Sequence, residues 1–438
     1  MKTILKHISY DLYLIGLITL TFISFMGPLE EYLMPLLVGI GFLFILANKS
    51  IFYVIPIPFF VQMSFGGMRD NVQVTTIYTI IFVLMIAVDM IKNRTITNKG
   101  KLTIPLAILV GLSVLTHFNS PDLFTTFAGF MQIASVLGLY FYFINTLQSS
   151  DDNYRYVAKL MMYMSVLVSM QMMYVIYDSG ELATTIIRTR TIDLGWENLN
   201  IIIYSNLISI PLIAYLIHES KIKIFYMIFA VVSMIGIFLT LSRSSVLTLG
   251  VMVALIIPTM FILSKQKGYL IGQGFVLILM LLIVAYITEQ RFELLSGYID
   301  AFEQRDLYAV DDRIELLYVA WNQLKQHPLF GSGGLYSSRI HLANAGFQAV
   351  NYHNTMAQAS TLGILGVIGF YYLFLEKTRL IMLSKSSFKW FVLIMVFTTA
   401  FVNGTLQPMY FYTTYMVFLF LVLASIEVSE MNDVRKSN

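Results

Sequence analysis

The chain has 438 residues, of which 58% are hydrophobic and only 12% are charged, and its mean hydropathy is +0.75. A soluble globular domain carries about a quarter of its residues as Asp, Glu, Lys and Arg, so that class is excluded. The net charge of +3 gives no indication of nucleic-acid binding. Because cysteine is absent, the chain has neither disulfides nor a thiolate metal site.

Fourteen apolar stretches have about the length that a helix needs to cross a bilayer. The first follows a basic N-terminus and is expected to be an uncleaved span rather than a removed signal. The sequence predicts an all-α polytopic membrane protein with about 12–14 transmembrane helices, folded as a single integral membrane domain over residues 1–438. The stretches are 8–26, 32–47, 51–65, 72–91, 102–118, 123–147, 156–177, 199–217, 223–241, 245–263, 269–288, 355–375, 388–403 and 411–426.

Basic residues are distributed unevenly between the predicted loops, and the positive-inside rule predicts that both termini are cytoplasmic. The predicted inner loops carry mostly Lys, whereas the outer loops carry mostly Arg. Arg presents a planar fork of donors that suits phosphate and carboxylate. The outer arginines therefore indicate either anion binding or pairing with outer carboxylates.

The largest polar segment, residues 289–353, is expected to be an extracytoplasmic loop that contains short helices. Polar residues are costly inside a bilayer, so chemistry or recognition is expected in this water-exposed segment. Asp312 to Glu315 has the spacing of a capping box, with Asp312 as the N-cap. The pattern predicts a helix from there to about Gln326, with four apolar residues along one side: Ile314, Leu317, Trp321 and Leu324.

Arg313 falls in the first turn of that predicted helix, where free N–H groups and the helix dipole favour an anion. An ion pair with Asp311 is the alternative, and the spacing does not separate the two. His327-Pro328 ends the helix, and the glycines of Leu329-Phe330-Gly331-Ser332-Gly333-Gly334 predict a turn.

Arg243 lies in Leu241-Ser242-Arg243-Ser244, at the outer end of two apolar stretches. A guanidinium there needs an anionic partner, which is either a lipid phosphate reached by snorkelling or a ligand in a pocket. The small Ser and Thr neighbours allow close helix packing and favour the pocket.

His353 precedes the apolar stretch 355–375 at its outer end, so we expect a helix to hold it at the membrane surface. A neutral imidazole accepts a proton from a sugar hydroxyl near neutral pH, and an imidazolium binds phosphate. A structural histidine that is satisfied by Asn351 and Asn354 is the alternative.

Residues 179–198 form the other substantial outer loop, in which Arg188 and Arg190 precede Trp196. The indole of Trp196 is expected either to stack on a sugar ring or to anchor the loop at the membrane interface.

Several signatures of phosphate, metal and nucleophile chemistry are absent: a Gly-Lys-Ser/Thr loop, an Asp-x-Asp pair, His-Glu-x-x-His and a serine nucleophile elbow. Nucleotides are scarce outside the cytoplasm, so a transferase there needs a donor with its own leaving group. A lipid diphosphate is such a donor, and arginines rather than a metal ion would neutralise the charge that develops when it leaves.

Residues 230–370 resemble the signature region of the O-antigen polymerase and O-antigen ligase family of bacterial surface-glycan enzymes. Within this region, Gly363 and Gly366 are expected to be helix-packing glycines. Gly195-Trp196-Glu197-Asn198-Leu199-Asn200 is similar to the family's smaller periplasmic loop. The matching pieces are Leu241-Ser242-Arg243-Ser244; Asp312-Arg313 through Trp321 to His327-Pro328-Leu329-Phe330-Gly331-Ser332-Gly333; and His353-Asn354-Thr355 through Gly363-Ile364-Leu365-Gly366.

The resemblance implies a type C glycosyltransferase of the bacterial inner membrane that uses no metal and no cofactor, with its active site on the periplasmic side. Its donor and acceptor glycans are carried on undecaprenyl diphosphate. Arg243 and Arg313 would bind the diphosphate and stabilise its departure, while His353 would be the general base on the acceptor hydroxyl, with inversion at the anomeric carbon. The expected substrate-binding residues are Arg188, Arg190, Trp196 and Asn354.

The leading hypothesis is a polymerase that joins lipid-linked repeat units into O-antigen or capsular polysaccharide. Its expected partners are membrane lipid, a flippase and a chain-length regulator, and no nucleic acid. A ligase that transfers finished glycan to lipid A core uses the same donor and residues and is the alternative. A lipid-linked oligosaccharide flippase is a third hypothesis, which predicts charged residues within mid-membrane helices and two related halves. Neither pattern is evident in the sequence.

Overall fold

The computed structural model describes residues 9–27, 29–47, 51–64, 72–93, 99–147, 152–178, 194, 199–221, 223–240, 242–265, 267–292, 296, 309–349, 351–408 and 412–437. Within these ranges every secondary-structure element is helical. The helices are α1 (Tyr10–Met26), α2 (Glu30–Leu46), α3 (Ile51–Val54), α4 (Pro56–Met63), α5 (Val72–Asn93), α6 (Thr103–Leu115), α7 (Leu123–Thr146), α8 (Asp152–Asp178), α9 (Leu199–Glu219), α10 (Lys223–Leu239), α11 (Arg243–Leu263), α12 (Lys267–Phe292), α13 (Ala309–Gln326), α14 (Ser338–Asn344), α15 (Thr355–Ala359), α16 (Gly363–Leu383), α17 (Phe388–Phe397) and α18 (Thr413–Ser437).

Each of the fourteen predicted apolar stretches coincides with helical backbone, which confirms the all-α polytopic membrane class. Shorter apolar helices account for much of the rest of the chain, and the total number of spans stays a prediction. The stretch 51–65 is interrupted before Pro56, because proline removes a backbone donor inside a helix. Among the residues that the structure describes, five segments are long and apolar enough to cross a membrane: Leu123–Thr146, Asp152–Asp178, Ile202–Glu219, Arg243–Leu263 and Thr355–Leu383.

The chain divides into two compact units. The first unit comprises Met1–Ile96, Tyr154–Ser242 and Ile256–Gln304. The second unit comprises Thr97–Asn153, Arg243–Leu255 and Arg305–Asn438, and so contains α6, α7, the first half of α11 and α13 to α18.

In the first unit, buried polar side chains link neighbouring helices. Ser165 on α8 donates to Asn206 Oδ1 on α9 at 3.0 Å, and Asn206 Nδ2 donates to Ser169 Oγ at 3.1 Å. Gly236 on α10 faces this pair, since a Cβ there would lie 2.2 Å from Ser169 Oγ. Small residues let membrane helices approach closely, and hydrogen bonds between their side chains then hold them.

In the second unit, α7 packs against α6 and α18, and α16 packs against α6. Glu427 on α18 is buried and accepts hydrogen bonds from the backbone N–H of Lys101 and from the hydroxyl of Tyr140. Gly369 on α16 lies against α6, where a Cβ would meet Leu109 Cδ2 at 3.2 Å. The buried carboxylate of Glu427 thus has hydrogen-bond partners on two neighbouring segments, as burial of a charge requires.

The predicted helix of the polar segment is α13, and the capping-box prediction for its start is wrong. The helix begins at Ala309, so Asp312 is the fourth residue of the helix rather than its N-cap, and Arg313 lies beyond the first turn. The end at Gln326 is as predicted. The predicted apolar side is the exposed one: Ile314, Leu317 and Trp321 are on the surface. The buried residues form a small core, which consists of Leu316, Ala320, Leu342 and Tyr352.

The glycine-rich turn after α13 joins a break in the next long helix. Ser332 N–H donates to Thr361 O at 2.9 Å, and Ile364 N–H donates to Pro328 O at 2.8 Å. Helix α15 gives way to a 3₁₀ turn over Ser360–Leu362, and Gly363 then has φ +77° and ψ −173°. This is a conformation that essentially only glycine adopts. The prediction that Gly363 is a helix-packing glycine is therefore wrong, because it sits at a helix break.

Candidate functional site

His353 lies at the start of α15 with unusual backbone geometry. Its φ is +49°, and among the described residues His353 is the non-glycine residue with a positive φ. Its N–H donates to Asn351 Oδ1 at 2.9 Å, and the next residue, Asn354, caps α15 by accepting from the N–H groups of Met356 and Ala357. A residue in this sparsely populated region is retained only where its surroundings fix it, and such residues cluster at functional sites.

The imidazole of His353 is half-buried and faces one polar side chain. Its Nδ1 lies 3.1 Å from Gln407 Oε1. Burial lowers the pKa of His353, the charge of Arg313 lowers it further, and the hydrogen bond with Gln407 raises it. Because the net shift is downward, the imidazole is neutral at neutral pH and able to accept a proton.

Arg313, on α13, is half-buried and close enough to His353 for its charge to affect the pKa of the imidazole. Two of the predicted site residues therefore lie within electrostatic range of each other. A cation beside a neutral base is a suitable arrangement for an anionic leaving group next to a hydroxyl nucleophile. The alternative pairing partner, the side chain of Asp311, lies outside the described part of the chain.

Arg243 is the first residue of α11, after the N-cap Ser242, and it is half-buried. Thr248, little more than one turn further along, accepts a hydrogen bond from Asn403 Nδ2 at 3.2 Å. The neighbour of Asn403, Gly404, accepts the N–H of Thr355 at 2.8 Å. Hydrogen bonds thus join the first turns of α11 to the segment that carries His353, within the second unit.

The predicted substrate-binding residues have different outcomes. The side chain of Asn354 is engaged within the protein, because its Oδ1 caps α15 and its Nδ2 donates to Thr405 O at 3.2 Å. Arg188, Arg190 and Trp196 lie outside the residues that the structure describes. The roles of these four residues therefore stay predictions.

The sequence motifs did not predict a role for Gln407. It lies in the short polar stretch Asn403-Gly404-Thr405-Leu406-Gln407, between the predicted spans 388–403 and 411–426. A signal was present, since the amide side chains of Asn403 and Gln407 stand in or at the edge of a predicted outer loop of only a few residues.

A family model described as O-antigen ligase matches residues 228–371. The matched range contains Arg243, Arg313, His353 and Asn354 and ends before Gln407. The search among curated proteins found no match. The matched domain carries the three motifs in order, with Arg313 within electrostatic range of His353, and over residues 228–371 the chain is similar to the O-antigen ligase family.

Proposed function

We propose that the chain is a polymerase that joins oligosaccharide repeat units while they are carried on undecaprenyl diphosphate. The reaction takes place on the outer face of the bacterial cytoplasmic membrane, without a metal ion, and with inversion at the anomeric carbon. The product is O-antigen or capsular polysaccharide. A flippase that supplies the lipid-linked units and a chain-length regulator are the proposed partners.

One observation carries this proposal. A half-buried imidazole with a lowered pKa lies within electrostatic reach of Arg313, and hydrogen bonds tie its segment to the helix that begins at Arg243. A neutral base, two guanidinium groups and a surrounding apolar membrane protein suit transfer from a lipid diphosphate. They suit a nucleotide donor less well, because the chain has no nucleotide-phosphate loop.

The proposed reaction is a single displacement. His353 takes the proton from the acceptor hydroxyl, and the resulting oxygen forms the new bond to the anomeric carbon of the donor. The bond from that carbon to the diphosphate oxygen breaks, and undecaprenyl diphosphate leaves with the bonding electron pair. Arg243 and Arg313 stabilise the negative charge that develops on this leaving group.

Replacement of the base tests the site. We expect His353→Ala to abolish polymer, because general base catalysis contributes roughly 10²- to 10⁴-fold to rate. His117→Ala is the matched control, a half-buried histidine of the same unit at the end of α6, and it should retain polymer. Both proteins are quantified in membranes by immunoblot. Polymer of ordinary amount from an abundant His353→Ala protein would remove this histidine from the mechanism.

The glycan that accumulates when the chain is deleted distinguishes polymerase from ligase. Loss of a polymerase leaves single repeat units on the lipid carrier, whereas loss of a ligase leaves finished polymer on the carrier and none on the final acceptor. Mass spectrometry of extracted lipid-linked glycan separates these outcomes. The description of the matched family model, O-antigen ligase, makes the ligase the second candidate.

Metal independence is tested with membranes that carry the chain. Polymer formation from extracted lipid-linked units is expected to continue in excess EDTA, because arginines take the place of a cation in the proposed mechanism. Loss of activity in EDTA and recovery with Mg²⁺ would contradict this part of the proposal.

A further inference from the structure

The side-chain group that holds the ring of His353 is distinct from the groups that hold its backbone. The backbone is fixed by Asn351, which accepts its N–H, and by Thr355, whose N–H and hydroxyl donate to Gly404 O and Gln407 O. These bonds leave the rotation of the imidazole about its side-chain bonds undetermined. The side chain that contacts the ring is that of Gln407, through the 3.1 Å approach of Oε1 to Nδ1.

The identity of the facing atom determines which ring nitrogen carries the proton. An amide oxygen only accepts hydrogen bonds, so the nitrogen that faces it must be the donor. A neutral imidazole has one N–H, and a proton on Nδ1 leaves the lone pair on Nε2. Nε2 is then the atom that can take a proton from a hydroxyl.

Gln407 is itself held in place by the turn in which it lies. It is buried, its N–H donates to Asn403 O at 2.7 Å, and its carbonyl accepts from the Thr355 hydroxyl at 3.2 Å. Asn403 ends a π-helical turn over Thr398–Asn403 and donates to Thr248 on α11. Single π-helical turns inside helical segments are frequent at functional sites, because they redirect the residues that follow.

We infer that Gln407, which lies outside the matched family domain, is a positioning residue that selects the Nδ1–H tautomer of His353 and aims Nε2 at the acceptor hydroxyl. The inference rests on the proposed function of His353 as a general base. The turn of residues 403–407 thereby links two parts of the site: the base through Gln407, and the helix of Arg243 through Asn403.

The tautomer is measured directly by ¹⁵N NMR of the full-length protein labelled at histidine, without any substrate. Six histidines are present, and the His353 signals are assigned by their loss in His353→Ala. Spectra are recorded at a pH at which the imidazole is neutral in each variant, because the carboxylate of Gln407→Glu raises the pKa of His353. We expect the Nδ1–H tautomer in the wild type and in Gln407→Glu, whose carboxylate also accepts from Nδ1–H. In Gln407→Leu, which offers no acceptor, we expect a mixture or the Nε2–H tautomer. A wild-type proton on Nε2, or an unchanged tautomer in Gln407→Leu, overturns the inference.

Turnover is measured with lipid-linked oligosaccharide extracted from cells that lack the chain. We expect Gln407→Leu to lower kcat roughly 10- to 100-fold with KM nearly unchanged, because a misdirected base loses orientation rather than substrate binding. Gln407→Glu should recover most of kcat. Gln326→Leu is the matched control, because Gln326 is an exposed amide at the end of α13 in the same unit, and this variant should behave as the wild type.

The two proposals fail in different ways. Wild-type kcat in His353→Ala contradicts the proposed function, whatever the tautomer is. Wild-type kcat in Gln407→Leu, together with an inactive His353→Ala, contradicts the positioning role alone. A Gln407→Glu protein as slow as Gln407→Leu also contradicts the positioning role. The glutamate variant keeps an acceptor for Nδ1–H, so a lost activity there would point to a structural role of the amide.

Discussion

The two units use buried polar residues for different purposes. In the first unit, Ser165, Ser169 and Asn206 lie on regular helices and are partners of one another. In the second unit, polar groups hold irregular backbone: a positive φ at His353 and a helix break at Gly363. The comparison indicates that the first arrangement provides stability, whereas the second orients ionisable groups that remain partly accessible.

The largest effect is expected at the helix break. In Gly363→Ala, the added Cβ would lie 2.2 Å from Leu329 O and 2.6 Å from Gly331 N, in a backbone conformation that alanine avoids. Strain and overpacking together should lower the free energy of unfolding by about 3–5 kcal/mol. The change is measured by thermal unfolding in detergent and by protein abundance in membranes.

Gly111→Ala is the control for this substitution. Gly111 lies on α6 of the same unit, and a Cβ there meets nothing within 4 Å. Its stability should be unchanged or slightly higher, because alanine favours helix over glycine by about 1 kcal/mol. If Gly363→Ala were as stable as Gly111→Ala, the irregular joint would not be a constraint on the fold.

The next largest effect is expected at Arg243, where charge alone is insufficient. Arg243→Lys keeps one positive charge but loses the bidentate fork for diphosphate oxygens, so kcat should fall on the order of 10- to 100-fold. Turnover of extracted lipid-linked units is the measurement. Arg379→Lys, an exposed arginine on α16 that pairs with Glu376, is the control and should be unaffected. Equal activity of both variants would argue against diphosphate binding by Arg243.

The sequence predicted the regular part of the molecule better than the irregular part. Apolar stretches located the helices, because hydrocarbon leaves few alternatives for a polypeptide backbone. The break at Gly363 was not foreseen, since residues 355–375 read as one continuous apolar stretch and the turn that packs on it comes from residues 328–334. Tertiary contacts of this kind have no local signal.

The candidate site was predicted in the same uneven way. Spacing and residue type predicted Arg313 and His353 as site residues, and the structure places them within electrostatic range of each other. The capping signature at Asp312 predicted the wrong start for α13, because Ala309 and Val310 also adopt helical backbone conformations. Gln407 is 54 residues from His353 along the chain, so only the folded structure reveals their contact.

A smaller effect is expected in the helix frame of the first unit. Gly236→Ala would bring a Cβ within 2.2 Å of Ser169 Oγ and 2.5 Å of Asn206 Nδ2, which should lower the free energy of unfolding by about 1–3 kcal/mol. Turnover per folded molecule should stay near the wild-type value. Adding Ser169→Ala removes the hydroxyl and should restore part of the lost stability, as thermal unfolding in detergent would measure. A fall in kcat without a fall in stability would contradict the division of roles between the units.

The smallest effect is a shift in the pH dependence of turnover. The charge of Arg313 lowers the pKa of His353, so Arg313→Gln should raise that pKa, whereas Arg313→Lys should leave it nearly unchanged. A general base works in its unprotonated form, which is present above its pKa. The acid limb of kcat against pH should therefore move to higher pH in the glutamine variant and stay in place in the lysine variant. Because both variants lose the guanidinium fork, their lower absolute rates cancel from the comparison and the position of the limb reports the charge alone. Identical limbs in the two variants would mean that Arg313 does not act on the imidazole, and the pairing of a cation with a neutral base would lose its electrostatic support.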